Sequence, residues 1–332
     1  MIIKRLIRKV KNTVFDAVSL PLRVKVKNAK TPLDIKTYDG GNQCLHPSCL
    51  YFTNGWNGFK FWLVVTPYKN MNESIENPCI YTSNDGEHFN SCQTANPLDD
   101  IELSSEYEYN SDPELVYNSD LDRIECWWRR VQTSKYPNKE ERNVEILYRS
   151  YTVDGTSWSA KERMYVFHNS IDATRGAISP SIIYEDGVYN IWVSSSRTTD
   201  SDLRNIVHIQ CTDGGQAKEI DTYTPKHSLS HITVLKEEGI TRIVGFDVSQ
   251  KGFPYVLYTI DSDFNMKFEG VLLKKGQKSS WDSSRLYRPY ILEVDNQYWL
   301  YYSAYQEKPN GNCHIGLLKF SDWNDLLRCF IQ

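Results

Sequence analysis

Five short stretches of this chain each open a strand-like run on a polar residue able to do chemistry. They are His46-Pro47-Ser48, Asp112-Pro113-Glu114, Ser179-Pro180-Ser181, His231-Ile232-Thr233 and Arg288-Pro289-Tyr290. Two histidines, an aspartate, a serine and an arginine cover proton transfer, nucleophilic attack and the holding of an anion. Gathered in one concavity they would shift one another's pKa values, which is what acid–base work uses. Taken singly, each is no more than a polar cap on a strand. A second group stands apart from these heads. Glu76, in Glu76-Asn77-Pro78, follows a loop containing Asn70 and Asn72; Arg129 and Arg130 close an aromatic run; Asp247 closes the equivalent run two repeats later. Glu76 suits an acid if partly buried and a loop cap if not. The Arg129 guanidinium matches a carboxylate or phosphate. Glu114 lies two residues after Asp112 and so points to the same face of a strand.

Several chemistries are absent from the pattern. No Cys-x-x-Cys pair occurs and the histidines are scattered, so metal-ligand spacing is missing and neither a metal nor a cofactor is expected. Glycine-rich phosphate loops and a Gly-x-Ser-x-Gly elbow are missing too. The eight cysteines, several inside strand patterns, read as free thiols of a reducing compartment.

The elements that position these residues form a unit that recurs five times. After each head comes an aromatic-rich second strand: Phe59 to Pro67, Ile124 to Gln132, Val188 to Ser196, Thr241 to Ser249 and Gln297 to Tyr305. A third strand then runs into an Asp turn: Ser83-Asn84-Asp85-Gly86, Val153-Asp154-Gly155, Thr212-Asp213-Gly214, Asp261-Ser262-Asp263 and Ser321-Asp322-Trp323. Period-two runs of aromatic and β-branched residues bounded by such turns predict antiparallel strands. Helix-free repeats of this length predict an all-β, five-bladed β-propeller of four-stranded blades over residues 31–332. The repeats are unequal, with insertions expected at Asn90 to Asn110 and Thr133 to Asn143. In a propeller the innermost strand of each blade lines the channel, so the five heads would ring the funnel mouth. Convergent polar groups in a concavity favour a ligand site there. The 22 Tyr and 9 Trp serve blade packing for the most part, although sugar rings also stack on such faces.

Residues 1–30 fall outside the repeats. Nine basic residues against the single acid Asp16 make the segment +8, which leaves −12 on the rest of a chain of net charge −4. Ile3, Leu6, Ile7, Val10, Val14 and Val18 recur at helical spacing, predicting a short basic amphipathic helix. Such a helix suits an anionic membrane surface, or simply packs on the acidic body. It is too charged to span a membrane and makes a poor signal peptide. A cytoplasmic protein, peripheral at the inner membrane face, is expected. Nucleic acid is not an expected partner, because the body is acidic and the basic charge sits at one end.

With the five-blade repeat, the His/Asp/Ser-Pro heads and the Ser-x-Asp-Gly turns, about residues 40 to 325 resemble the five-bladed superfamily of glycoside hydrolase families 43 and 32. The resemblance implies hydrolysis of furanosides and related glycans. It also implies an Asp at the first head, an Asp at the second and a Glu near the third. Only Asp112 matches, in the role that orients substrate and tunes the acid; the first head holds His46 and the third Ser179. Some members of that superfamily carry a calcium ion at the funnel centre, but this chain shows no all-oxygen ligand loop. Hydrolysis of a glycosidic bond needs two carboxyl groups. Glu76, Glu114 or Asp247 would have to supply the second. Three readings stay open. One is an enzyme with Asp112, Glu76 and His46 as catalytic groups, and Arg129, Ser179, His231, Asp247 and Arg288 holding an oligo- or polysaccharide, such as a bacterial capsule or exopolysaccharide or its precursor. The others are a noncatalytic glycan binder and a protein scaffold that works through Asn90–Asn110. A carbohydrate-active propeller is the expectation, hydrolase first and binder second.

Overall fold

The second strand of each repeat carries large side chains on both of its faces, aromatic or aliphatic at neighbouring positions such as Trp62-Leu63 and Trp127-Trp128, so it must be covered on both faces. The computed structural model, which describes residues 28–101, 106–167, 175–196, 204–215, 217–307 and 311–328, meets that demand with five antiparallel sheets arranged as a propeller. The first blade holds β1 (Cys44–Trp56), β2 (Phe59–Pro67), β3 (Cys79–Ser83) and β4 (Asn90–Ser91). The second holds β5 (Glu108–Asn118), β6 (Arg123–Gln132), β7 (Val144–Thr152) and β8 (Glu162–Phe167). The third holds β9 (Arg175–Glu185), β10 (Val188–Ser196), β11 (Asn205–Thr212) and β12 (Lys218–Tyr223). The fourth holds β13 (Leu229–Glu237), β14 (Ile240–Asp247), β15 (Tyr255–Ile260) and β16 (Met266–Leu273). The fifth holds β17 (Arg285–Val294), β18 (Gln297–Tyr305) and β19 (Cys313–Phe320). Inner strands β1, β5, β9, β13 and β17 touch in that order and close the ring.

The fifth blade has three strands among the described residues, where four were expected. The chain ahead of the first blade runs along its open edge, with Leu33 N donating to Ile315 O at 2.8 Å. Ile35 and Leu33 pack there with Leu292 and Ile315. The helix expected over residues 1–30 lies outside the described residues except for its last three. Of these, Asn28 Nδ2 donates to Lys274 O at 2.9 Å, and Ala29 N donates to the Tyr302 hydroxyl at 3.0 Å.

Packing is organised by seams between blades. Phe61 and Leu63 meet Trp299 and Tyr301 between the first and fifth blades, whereas Trp62 and Val64 meet Ile124 and Trp128 between the first and second. Trp127 faces the third blade with Tyr189 and Ile191. Adjacent residues of one strand therefore serve opposite seams, as the period of two requires.

The Asp turns lock these seams. In the first blade Asp85 Oδ1 accepts from Glu87 N and His88 N, each at 2.8 Å, while Ser83 Oγ accepts from Gly86 N at 2.9 Å. In the second, Asp154 Oδ1 accepts from Thr156 N at 2.8 Å and Ser157 N at 2.7 Å, and Thr152 Oγ1 accepts from Gly155 N at 2.9 Å. Gly86 and Gly155 take positive φ, 72° and 73°. A Cβ on Gly86 would stand 2.5 Å from the Trp299 ring, and one on Gly155 2.5 Å from Trp62. Each turn thus presses bare backbone against an aromatic of the neighbouring blade.

Candidate active site

Each inner strand carries a bulge where it meets the funnel. Pairing skips from Leu45 to Ser48 in β1, from Ser111 to Glu114 in β5, from Ile178 to Ser181 in β9, from Ser230 to Thr233 in β13 and from Leu286 to Pro289 in β17. The first unpaired residue in each is His46, Asp112, Ser179, His231 and Tyr287. Four of the five share a left-handed backbone, with φ of 56° at His46, 51° at Asp112, 47° at Ser179 and 47° at His231. Non-glycine residues pay about 1–2 kcal/mol for that conformation, and such strain collects at functional sites. Here it turns four polar side chains inward.

The fifth position corrects the sequence register. Arg288 aligns with Pro47 and Pro113, not with His46 and Asp112, and Tyr287 takes the ring position. Arg288 is fully buried in the channel below, where Nη1 donates to Pro113 O at 2.6 Å and Nη2 to Pro180 O at 3.0 Å and to Glu114 Oε2. Glu114 is likewise buried beneath the ring and paired to Arg288. Tyr287 instead lies against both histidines, its ring centroid 4.2 Å from His231 and 5.4 Å from His46.

Asp112 is the centre of the ring. His46 Nε2 and His231 Nδ1 each lie 3.1 Å from its Oδ1, and Ser179 Oγ donates to the same oxygen at 2.7 Å. Its other oxygen, Oδ2, faces Arg129 Nη2 at 2.9 Å. Burial alone would raise the Asp112 carboxyl, but Arg129, His46 and His231 together hold it well below the usual carboxylate range. Burial also lowers both imidazoles against the pull of Asp112, His46 strongly. Two imidazoles and one carboxylate are thereby set on a common point, and one ligand atom from each lies within 4.8 Å of the others. The spacing rules that gave no metal site look along the chain. The fold builds this triad with one residue from each of three blades.

Glu76 joins from the loop before β3. Its Oε1 is 3.7 Å from His46 Nδ1, the nitrogen that also meets Thr66 Oγ1 at 2.8 Å. Burial, then the Asp112 charge, raise Glu76 well above an ordinary carboxyl. Behind Arg129 stands Glu145, 3.3 Å from its Nη1, a buried counter-ion that no sequence motif marked. Asp247 is placed elsewhere. It is buried at the end of β14, where Oδ1 accepts from Ser249 N at 3.0 Å and Oδ2 from Gln250 Nε2 at 2.7 Å, so it shapes a turn. Ser179 does not form a serine-hydrolase triad. Its Oγ and the Asp112 carboxylate meet the same His231 nitrogen, leaving Asp112 unable to orient the ring from the far side.

No family model matches the chain. It is 24% identical over 324 residues to the A type blood N-acetyl-α-D-galactosamine deacetylase of Flavonifractor plautii, which covers 81% of this chain and 41% of the relative. The chain therefore spans about two-fifths of the length of the curated relative it matches. Among solved structures, the N-acetylgalactosamine deacetylase from F. plautii, crystallised with blood group B trisaccharide, superposes with a TM-score of 0.75 at 18% identity, covering 91% of this chain and 97% of that one. The family 43 glycoside hydrolase BlXynB from Bacillus licheniformis gives 0.57 at 11% identity, over 83% and 52%. An exo-β-1,3-galactanase from Phanerochaete chrysosporium, with galactose, gives 0.57 at 10%, over 88% and 64%. The five-bladed fold of these carbohydrate-acting enzymes is the fold of this chain.

Proposed function

We propose that the funnel removes an acyl group from an N-acylated amino sugar, with His46, Asp112 and His231 as ligands of a divalent metal ion. The observation that carries this reading is the convergence of those three side chains beside a separate buried carboxyl, Glu76, 3.7 Å from His46. The deacetylase activity named for the F. plautii relative supports it. The residues fit such an ion. His46 Nε2 faces Asp112 Oδ1 at 3.1 Å without hydrogen-bond geometry, and Thr66 fixes the other ring nitrogen, as ligating imidazoles require. Two histidines and a carboxylate are a common donor set for zinc and its first-row neighbours. When bound, the ion would polarise the amide carbonyl and acidify a water molecule.

The protein's own groups account for the proton movements. Glu76, ionised, takes a proton from the attacking water and returns it to the departing nitrogen. A C–O bond forms, the amide C–N bond breaks, and a carboxylic acid and a free amino sugar leave. A carboxyl raised towards the working pH is well matched to both transfers. Asp112 is unsuited to act as acid or nucleophile, because Arg129 and the ring groups stabilise its charge on both oxygens. That distinguishes this ring from a glycosidase pair, where two carboxyls flank the bond. A bacterial surface polysaccharide or its precursor is the proposed bearer of the sugar, with residues 1–30 holding the protein at the cytoplasmic membrane face.

The test is incubation with N-acetylated oligosaccharides and surface glycans in the presence of Zn²⁺, Mn²⁺ or Co²⁺, following acetate, free amine and reducing sugar together. Acetate release with the linkage intact supports the deacylase. Reducing sugar without acetate moves the assignment to glycoside hydrolysis. Ligand-dependent melting with neither product makes the protein a binder.

A further inference from the structure

We propose that Arg288 is a positioning residue for the ring above it, holding the Asp112 and Ser179 bulges so that one carboxylate oxygen reaches both imidazoles, and thereby setting the site's affinity for a divalent ion. The second half of this statement rests on the metal reading given above.

Pro113 and Pro180 are the residues that follow Asp112 and Ser179, and both fall in the unpaired part of their bulges. Proline has no N–H to give, and the skipped register leaves the two carbonyls without ladder partners. The Arg288 guanidinium supplies the missing donors, Nη1 to Pro113 O at 2.6 Å and Nη2 to Pro180 O at 3.0 Å. The same Nη2 pairs with Glu114, the residue at which β5 resumes its pairing. Three anchor points in two blades therefore surround the two left-handed residues on which Asp112 Oδ1, Ser179 Oγ and His231 meet. Arg288 is itself fixed, since its own carbonyl accepts from Ser303 Oγ at 3.1 Å on β18. The planar fork of arginine can serve several acceptors at fixed angles, whereas lysine is a point donor on a flexible stem. A plug with a purely structural role would support the fold and leave the ring's geometry to the blades. A positioning role links the channel to the ring.

The experiment uses the full chain with Arg288→Lys, and separately Arg288→Met combined with Glu114→Gln so that no buried charge is left alone. Zn²⁺ binding to the metal-free proteins is measured by calorimetry, imidazole ¹⁵N spectra are recorded without metal, and cooperative melting verifies folding. We expect folded variants to bind Zn²⁺ at least about tenfold more weakly, the usual scale for losing an outer support of a metal site, and the His46 and His231 signals to move. Wild-type Zn²⁺ affinity together with unchanged imidazole signals in a folded variant overturns the proposal. If the double variant does not fold, Arg288→Lys decides. A wild-type protein that binds no Zn²⁺ removes the metal reading alone. The positioning role is then judged on the spectra, with altered imidazole signals supporting it and unaltered ones ending it.

Discussion

Glu76 Oε1 stands 3.7 Å from Nδ1 of His46, the same ring whose Nε2 stands 3.1 Å from Asp112 Oδ1. One histidine thus neighbours two buried carboxyls that the site pushes in opposite directions, Glu76 up and Asp112 down. Environments that split a pair in this way assign their roles, one group exchanging a proton and the other keeping a permanent charge.

The first prediction concerns Glu76 as the proton carrier. Glu76→Gln should lower kcat by about 10²–10⁴-fold, the range for losing a general acid–base group, while ligand-dependent melting with the glycan persists. The base must be ionised, and burial raises its pKa. The acidic limb of kcat/KM should therefore lie above the ordinary carboxyl range, with activity rising as pH increases through it. The same limb should vanish from the residual activity of Glu76→Gln. A limb retained in the variant would assign it to another group.

Asp112 carries the second prediction. Its folded pKa is depressed, so its contribution to stability is present above the unfolded aspartate value of about 3.9 and is lost as pH falls through the lower folded value. Asp112→Asn should be least stable relative to wild type at neutral pH, by as much as about 3 kcal/mol, because the buried Arg129 loses its nearer carboxylate and keeps Glu145. The gap should narrow in acid. Urea melts at pH 7 and pH 3 measure it. Activity and divalent-ion binding should both be lost at neutral pH, and chelation of wild type should reproduce that loss reversibly.

The same residues mark how far the sequence could be read. Blades and turns were legible because aromatic period-two runs and Asp-Gly turns are local patterns, and β2, β10 and β18 coincide with the predicted second strands. Four ring positions were legible because a polar residue precedes a proline or β-branched residue where each inner strand bulges. The fifth was misread by one residue. Pro289 imitates the motif, but the bulge in β17 begins at Tyr287, and only strand pairing reveals that. Glu145 and Thr66 had no signal at all, since each is one polar residue in a buried strand whose partner comes from another strand. The convergence of His46, Asp112 and His231 was hidden for the same reason, because metal-ligand spacing rules read one segment and this triad draws on three blades.

The third prediction tests the turns through two glycines with the same backbone. Gly155 and Gly214 both end Asp turns at positive φ, 73° and 72°. Any Cβ meets unfavourable backbone geometry at either place, costing about 1–2 kcal/mol. Their surroundings differ. A Cβ on Gly155 would press into the Trp62 ring at 2.5 Å, whereas one on Gly214 has nothing within 4 Å. Trp62 is wedged between the first and second blades with Trp56 and Trp128, and so has little freedom to withdraw. Gly155→Ala should therefore lose about 1–3 kcal/mol more than Gly214→Ala, the usual cost of overpacking a filled core. Equilibrium urea unfolding of the two variants measures the difference directly. Equal losses would mean that the glycine is kept for its φ alone; a larger loss at Gly155 makes the turn part of the seam that holds the first two blades, and with them His46 and Asp112, in register.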